Sequence, residues 1–145
     1  MSATAGASAD VVYMNAYRDL MSGQNSLAMD EFQAFLAQFP RSPNAPKAQY
    51  YMGVIYDRGK QYDDSVKAYD AVLERYPEDP ATRDALYGKA IALMELGDHN
   101  VEANREFATF LKNYPTDDKA VQAKQYIKEL NAPARRPNNT KNSRR

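Results

Sequence analysis

Histidine chemistry in this 145-residue chain would depend on one residue, His99. It lies between Asp98 and Asn100, and the chain has no second histidine and no cysteine. A metal site here would need several carboxylates around the single imidazole, because protein metal sites combine several His, Cys, Asp or Glu ligands. The sequence therefore predicts an exposed turn residue at His99 rather than a metal ligand.

Paired carboxylates are the other candidates for chemistry, and they occur at Asp63-Asp64, Glu78-Asp79 and Asp117-Asp118. Each pair lies where a stretch with helical periodicity begins, and the helix dipole favours negative charge there. Helix capping is therefore favoured over general acid–base catalysis. The six glycines form no phosphate-binding loop, and no nucleophile motif is present. We expect a noncatalytic protein without metal or cofactor.

Nineteen basic and nineteen acidic residues cancel over the whole chain, but they are unevenly distributed. Residues 133–145 hold five basic residues and no acidic one, which leaves a net charge of −5 on residues 1–132. A mildly acidic body without a recognition motif argues against nucleic-acid binding. The tail from 132 to 145 is predicted to be disordered, because it has too few apolar groups to bury.

No apolar run approaches the ~18 residues that a membrane-spanning helix needs. Residues 1–10 also lack the charged start and apolar stretch of an export signal. We therefore expect a soluble chain without direct membrane insertion. If the natural protein is exported, we expect this sequence to be a mature form or an excised domain.

A small residue, an aromatic residue four positions later and a proline eight further on recur three times along the chain. An aromatic residue also precedes each proline, and Gly23, Gly59 and Gly97 lie upstream of the small residues. The triplets are Ala28/Phe32/Pro40, Ser65/Tyr69/Pro77 and Ala103/Phe107/Pro115. The constant spacing indicates three copies of one structural unit.

Apolar residues between these markers follow a helical period, as in Phe32, Phe35, Leu36 and Phe39. Each proline ends a helix, because it removes an amide donor and disfavours helical dihedral angles in the residue before it. The sequence predicts seven helices and no strand, at 10–22, 25–39, 44–58, 62–76, 81–96, 100–114 and 117–131. A pair of one-faced helices cannot bury its apolar face alone, so successive pairs must stack.

The unit resembles the tetratricopeptide repeat of about 34 residues, with a small residue and an aromatic in the second helix and a closing proline. Met52, Gly53 and Tyr56 match its first helix in the second repeat, whereas the first repeat has Asp19 where an aromatic is usual. The implied fold is an all-α tetratricopeptide-repeat solenoid with three helix-turn-helix repeats and a C-terminal capping helix. We expect a flexible segment at 1–9 and a repeat domain at 10–131, with repeats at about 10–40, 44–77 and 81–115 and the cap at 117–131.

The proline junctions resemble, more narrowly, the C-terminal tetratricopeptide domain of the periplasmic Tol–Pal system protein, the cell-division coordinator family. The residues that carry this resemblance are 39–53 (FPRSPNAPKAQYYMG), Asp84-Ala85-Leu86 and Leu96-Gly97-Asp98. The resemblance implies a periplasmic location. It also implies, as partners, helical segments of the Tol energy-transducing protein and the peptidoglycan-synthesis machinery.

Three tyrosines, Tyr13, Tyr50 and Tyr87, recur at steps of 37 residues. The resemblance implies that this face of each first helix lines a concave groove, so the tyrosines are candidates for an aromatic ladder that holds a peptide or helix. Packing between neighbouring helices is the open alternative. The full set of candidate groove residues is Tyr13, Tyr17, Lys47, Tyr50, Val54, Asp57, Arg58, Asp84, Tyr87, Ile91, Met94 and Glu95.

The leading hypothesis is a noncatalytic module that holds a segment of a cell-envelope protein in its groove, since mixed aromatic, aliphatic and charged groups suit a protein ligand. One alternative is a scaffold of the outer-membrane protein assembly lipoprotein type, which has similar repeats. Another is a structural oligomerisation domain whose groove is filled by a neighbouring copy or by residues 133–145. The sequence leaves the oligomeric state open.

Overall fold

The computed structural model describes residues 7–133, which form seven α-helices and, over that range, no strand. The helices are α1 (Ala9–Met21), α2 (Asn25–Gln38), α3 (Ala45–Arg58), α4 (Tyr62–Arg75), α5 (Ala81–Leu96), α6 (Asn100–Asn113) and α7 (Ala120–Leu130). Each helix packs against the next one along the chain, and α3 also packs against α5. This is the all-α tetratricopeptide-repeat solenoid that the spacing predicts, with three helix pairs followed by α7.

The two predicted disordered ends fall largely outside the described residues. Residues 1–6 and 134–145 are not described, so the flexible N-terminal segment and the basic tail stay predictions. The helical domain begins slightly earlier than expected, because α1 starts at Ala9 and the Ser8 Oγ accepts a hydrogen bond from the Val11 N–H at 3.4 Å. Ser8 thereby satisfies one of the free amides at the start of α1.

The repeated sequence pattern marks equivalent places in the three helix pairs. The small residues and the aromatic residues that follow them are all buried where the second helix of a pair meets its neighbours. These residues are Ala28, Ser65, Ala103, Phe32, Tyr69 and Phe107. The three units are therefore copies of one packing arrangement.

The buried aromatic ring of each second helix also contacts the first helix of the next unit. Phe32 stacks on Tyr51 of α3, with 5.8 Å between ring centroids, and Phe107 lies 5.4 Å from Tyr126 of α7. Tyr69, in the middle junction, faces Gly88 of α5, which stands where the other junctions have an aromatic ring. At this junction the Tyr69 ring therefore packs directly against the backbone of α5.

A partly buried cation connects the second and third helix pairs. The Lys89 Nζ on α5 lies 2.8 Å from the Asp70 Oδ1 of α4 and 3.1 Å from the Glu106 Oε1 of α6. Burial lowers the pKa of Lys89, but the hydrogen bonds and charges of the two carboxylates outweigh that effect and raise it. The side chain thus stays charged where three helices meet.

Two further helix starts, besides that of α1, differ from the predicted positions. The last helix begins at Ala120 rather than 117, because the Asp117 Oδ1 accepts a hydrogen bond from the Lys119 N–H at 2.9 Å and holds the chain in a turn. The third helix begins at Ala45, with Pro46 in its first turn. Side-chain-to-backbone bonds of this kind compete with helix formation and delay it by a few residues.

The turn inside each pair contains one residue with a left-handed backbone. Gly23 (φ 79°) and Gly97 (φ 80°) serve in the first and third pairs, whereas Lys60 (φ 56°) serves in the second. Gly59, which the sequence pattern marks as the equivalent glycine, has an ordinary φ of −83°. The second turn therefore has a non-glycine residue in a region that costs roughly 1–2 kcal/mol.

Gly88→Ala should destabilise the protein by roughly 1–3 kcal/mol, as overpacking of a filled core does. A Cβ at this position would lie 2.6 Å from the Tyr69 Cζ. Chemical denaturation monitored by helical circular dichroism measures the effect. Gly59→Ala is the matched control, because its nearest neighbour would be the Gln61 Oε1 at 3.4 Å. Equal midpoints for the two variants would contradict the tight middle junction.

Candidate protein-binding site

Tyr13 on α1 is buried, with 8% of its surface exposed. Its ring centroid lies 6.1 Å from that of Phe32 and 5.7 Å from that of Phe35, both on α2. Burial raises the pKa of its hydroxyl, and the neighbouring Tyr51 and Tyr17 add to that effect. Tyr13 therefore helps to close the core of the first helix pair and offers little surface to a ligand.

Tyr50 and Tyr87, the other members of the proposed ladder, are partly exposed. Tyr50 lies 5.7 Å from Tyr69 of α4, and Tyr87 lies 5.2 Å from Phe110 of α6, between ring centroids. Burial raises the pKa of Tyr50 to about 12, with a further contribution from the charge of Asp84. Each ring thus packs on the second helix of its own pair and keeps one side at the surface.

Side chains of neighbouring first helices meet across the repeat boundaries. Tyr17 of α1 lies 5.4 Å from Tyr51 of α3, which in turn lies 5.3 Å from Tyr50. At the other end, Asp84 of α5 accepts a hydrogen bond from the Lys119 Nζ, at the start of α7, at 3.1 Å. We call this surface the first-helix face. It comprises Tyr17, Lys47, Tyr50, Tyr51, Val54, Asp84, Tyr87, Ile91, Met94, Glu95 and Lys119.

Lys119 belongs to this face although the repeat pattern does not identify it. Its Nζ lies 5.2 Å from the centroid of the Tyr87 ring as well as against Asp84. A cation over an aromatic face is attracted by the ring quadrupole. Lys119 lies after the third repeat, so no spacing signal could have paired it with Tyr87. It closes the face at the C-terminal end.

Asp57, a predicted groove residue, is held by its own helix pair. Its carboxylate accepts hydrogen bonds from the Ser65 hydroxyl and from the Tyr69 hydroxyl, the latter at 2.5 Å. Burial raises the pKa of Asp57, the two hydrogen bonds oppose that rise, and the charge of Glu95 adds to it. Asp57 therefore satisfies the buried hydroxyls of α4 and is half-buried itself.

Arg58, also predicted for the groove, links the first two helix pairs. Its guanidinium donates hydrogen bonds to the Leu20 carbonyl oxygen and to the Asn25 Oδ1, each at 3.0 Å. The Leu20 carbonyl is one of the free acceptors at the end of α1. These contacts direct Arg58 toward the turn of the first pair, where a cavity of about 320 Å³ lies beside it.

The remaining predicted residues are also accessible to a ligand. Val54, Ile91 and Met94 are partly exposed, and Lys47 and Glu95 are exposed. Together they give the first-helix face an apolar centre with charges of both signs at its edge, a composition typical of protein-binding patches. Of the twelve predicted residues, only Tyr13 is buried; Asp57 and Arg58 are accessible but hydrogen-bonded within the fold, and nine are at least partly accessible without being so engaged in the core of a pair.

The described residues give few other opportunities for chemistry. Across residues 7–133, no group of three or more His, Cys, Asp or Glu side chains is placed to hold a metal ion. His99 lies next to α6 and its Nδ1 contacts the neighbouring Asp98 Oδ1 at 2.5 Å. Over the same range, none of the helices is both long and apolar enough to cross a membrane.

The sequence pattern did not identify two neighbouring acidic residues, one on each helix of the first pair. Asp19 of α1 is 9% exposed, and the buried Glu31 Oε2 of α2 has no hydrogen-bond donor among the described residues. Burial raises the pKa of Glu31, the neighbouring Asp19 carboxylate raises it further, and Arg18 opposes the rise. The one sign of these residues in the sequence is Asp19, which stands where a tetratricopeptide repeat usually has an aromatic residue.

Comparison with known proteins gives a family match over most of the chain. The YfiO family model, described as "Outer membrane lipoprotein", matches residues 6–136. ER membrane protein complex subunit 2-B of Xenopus laevis is 31% identical over 110 residues, covering 74% of this chain and 35% of that protein. ER membrane protein complex subunit 2 of Xenopus tropicalis is 30% identical over 110 residues. The chain spans about a third of the length of these curated relatives.

Solved structures share the fold. A tetratricopeptide repeat protein from Parabacteroides merdae superposes with a TM-score of 0.67 at 17% identity, covering 84% of this chain and 50% of that one. The MamA RS-1 ArsTM double mutant superposes with a TM-score of 0.66 at 20% identity, covering 87% of this chain and 76% of that one. At such low identities the likeness concerns the fold alone.

Glu31→Gln should stabilise the protein at about pH 7 and change it little at about pH 4. The raised pKa of Glu31 favours its protonated form in the folded state. Below the pKa that Glu31 has in the unfolded chain, the protonated side chain costs no folding free energy. As the pH rises through the folded pKa, the side chain becomes charged in its buried site and the protein loses stability. A Gln amide can donate to Asp19 at either pH. Thermal unfolding at both pH values, with Glu74→Gln on the exposed side of α4 as control, measures the difference.

A Tm of Glu31→Gln that equals that of the unchanged protein at about pH 7 would contradict this interpretation of the acidic pair.

Proposed function

Because the chain belongs to the YfiO family of outer membrane lipoproteins, we propose that it is a noncatalytic scaffold of the cell envelope that binds a segment of another protein. The tetratricopeptide fold supports the general role, since stacked helix pairs form extended binding surfaces. The binding segment lies along the first-helix face. This proposal assigns no metal, cofactor or reaction to the chain.

The continuity of the first-helix face is the observation that carries the proposal. Contacts run from Tyr17 on α1 to Tyr51 and Tyr50 on α3, α3 packs against α5, and Asp84 on α5 contacts Lys119 just before α7. Side chains from four helices thus share one surface. Their positions are held by packing and ion pairs in the free protein, so little conformational entropy is lost when a ligand binds.

The family match favours the outer-membrane assembly type of scaffold over the Tol–Pal coordinator type. The resemblance of the proline junctions to the Tol–Pal family is the remaining support for the latter, with the Tol energy-transducing protein as partner. Both types imply a periplasmic location and an extended or helical protein ligand. The two types differ in the partner protein, so identification of the partner distinguishes them.

A subunit of a membrane-associated complex is a second candidate function, and one observation favours it. The curated relatives are named as subunits of the ER membrane protein complex. In that role the first-helix face would hold a neighbouring subunit permanently rather than a transient ligand. The two candidate functions predict different rates at which the partner dissociates from the first-helix face. A permanent subunit dissociates slowly and a transient ligand dissociates rapidly.

Glu95→Lys should weaken partner binding about fivefold, since an exposed charge at an interface edge contributes up to about 1 kcal/mol. Glu95 is exposed on the first-helix face, and Glu74→Lys makes the same charge change on the exposed side of α4. The chain is immobilised, exposed to envelope extract, and the retained proteins are identified by mass spectrometry. The identified partner is then purified and titrated against both variants.

Retention of outer-membrane assembly proteins would favour the scaffold role, and retention of the Tol energy-transducing protein would favour the coordinator role. Equal affinity of the two variants for the purified partner would contradict binding at the first-helix face.

A further inference from the structure

The outward face of α1 exposes apolar side chains that nothing in residues 7–133 covers. Val11, Met14 and Met21 are 50%, 58% and 54% exposed. They are spaced by three and seven residues, so they form one stripe along the helix. Apolar groups gathered on one helix face, unlike scattered ones, indicate a contact surface.

The positions equivalent to Val11 on the other first helices are buried, whereas Arg58 and Glu95, the equivalents of Met21, are exposed. Ala48 on α3 and Ala85 on α5 follow Val11 at steps of 37, and both are 0% exposed. They are covered by the preceding helix pair, which α1 lacks among the described residues. At the Val11 position, the first helix thus presents to solvent a side that its counterparts bury against the preceding helix pair.

Met14 shows the same difference from its counterparts. Tyr51 occupies its position on α3 and stacks on Phe32, and Gly88 occupies it on α5 and faces Tyr69. Met14 lies where the structure places a ring or a ring-facing glycine in each later repeat. A flexible thioether is well suited to fill an irregular apolar contact with another helix.

The two ends of the solenoid differ in polarity. The outer side of α7 carries one exposed apolar residue, Val121, among exposed charged residues that include Lys124, Lys128 and Glu129. A polar outer face is what terminal helices of solenoids need for solubility. The α7 end of a second molecule is therefore a poor match for the stripe on α1, whereas another α1 offers the same apolar groups.

The charges on α1 are arranged symmetrically about Met14. Asp10 lies four residues before it and Arg18 four residues after it, on the same face. The Arg18 side chain is 70% exposed and 3.9 Å from Asp19, and the exposed Asp10 accepts a hydrogen bond from Asn44 at 3.3 Å. When two α1 helices pack antiparallel about a twofold axis at Met14, Asp10 of each copy faces Arg18 of the other.

We propose that the outward face of α1 is a dimerisation surface whose occupant is the same face of a second copy of this chain. The contact is isologous, with Met14 on the axis, the apolar stripe in the centre and two Asp10–Arg18 pairs at the edges. A contact between two single helices, one from each copy, buries less surface than a standard protein–protein interface. The dimer is therefore weak and forms at high protein concentration.

Single-cysteine cross-linking tests the geometry, because the chain contains no cysteine of its own. Met14→Cys places two thiols together at the axis, so oxidation should give a covalent dimer. Val121→Cys, at a position 77% exposed on α7, should stay monomeric at the same concentration. Cross-linking that needs a mixture of the two variants would indicate head-to-tail stacking and overturn the proposal, as would no cross-linking.

Sedimentation equilibrium tests the energetics on the unmodified chain. Met14→Glu should raise the dissociation constant of the dimer at least tenfold, and Val121→Glu should leave it unchanged. Arg18→Glu should weaken the dimer, and combining it with Asp10→Lys should restore it because the pairs are then reversed. Helical circular dichroism confirms that the variants fold. A chain that sediments as a monomer at every concentration, or a Met14→Glu dimer of unchanged affinity, overturns the proposal.

Discussion

One buried aromatic ring at each junction between helix pairs is the contact on which this structure depends. Phe32, Tyr69 and Phe107 extend from second helices toward the next first helix, and each is at most 1% exposed. In an isolated pair the ring would have one side in water, and covering a side chain of this size contributes roughly 2–3 kcal/mol. Contact between aromatic rings adds about 0.5–1.5 kcal/mol where two rings meet. Stacking is therefore a condition of folding here, and the order of the helices follows from it.

The same contact determines the geometry of the binding surface. Because each ring sets the separation between a second helix and the next first helix, it also sets the separation between neighbouring first helices. Tyr17 can then reach Tyr51, and Asp84 can reach Lys119. Lys89 between Asp70 and Glu106 adds an ionic link that resists sliding of one pair along another. A surface assembled from four helices is thus held in register by residues that a ligand does not contact.

The fold was predictable from spacing, whereas the roles of individual residues in the site were only partly predictable. Periodic residues and prolines located all seven helices, but Asp117 delayed the last one through a local hydrogen bond. The step of 37 correctly grouped Tyr13, Tyr50 and Tyr87 as equivalents. It could not rank their exposure, because Tyr13 and Tyr87 each lie against two rings of the following helix and yet only Tyr13 is buried. Lys119 and the Asp19–Glu31 pair occur once each, so no repetition marked them.

The size match between Tyr69 and Gly88 restricts how such a protein can diversify by recombination. Gene duplication readily shuffles tetratricopeptide units when every unit presents the same surface to its neighbours. In this chain the second and third units are complementary only to each other, since a repeat with a bulky residue in place of Gly88 would collide with the Tyr69 ring. We therefore expect recombination to keep these two units together and to exchange the first helix pair most readily.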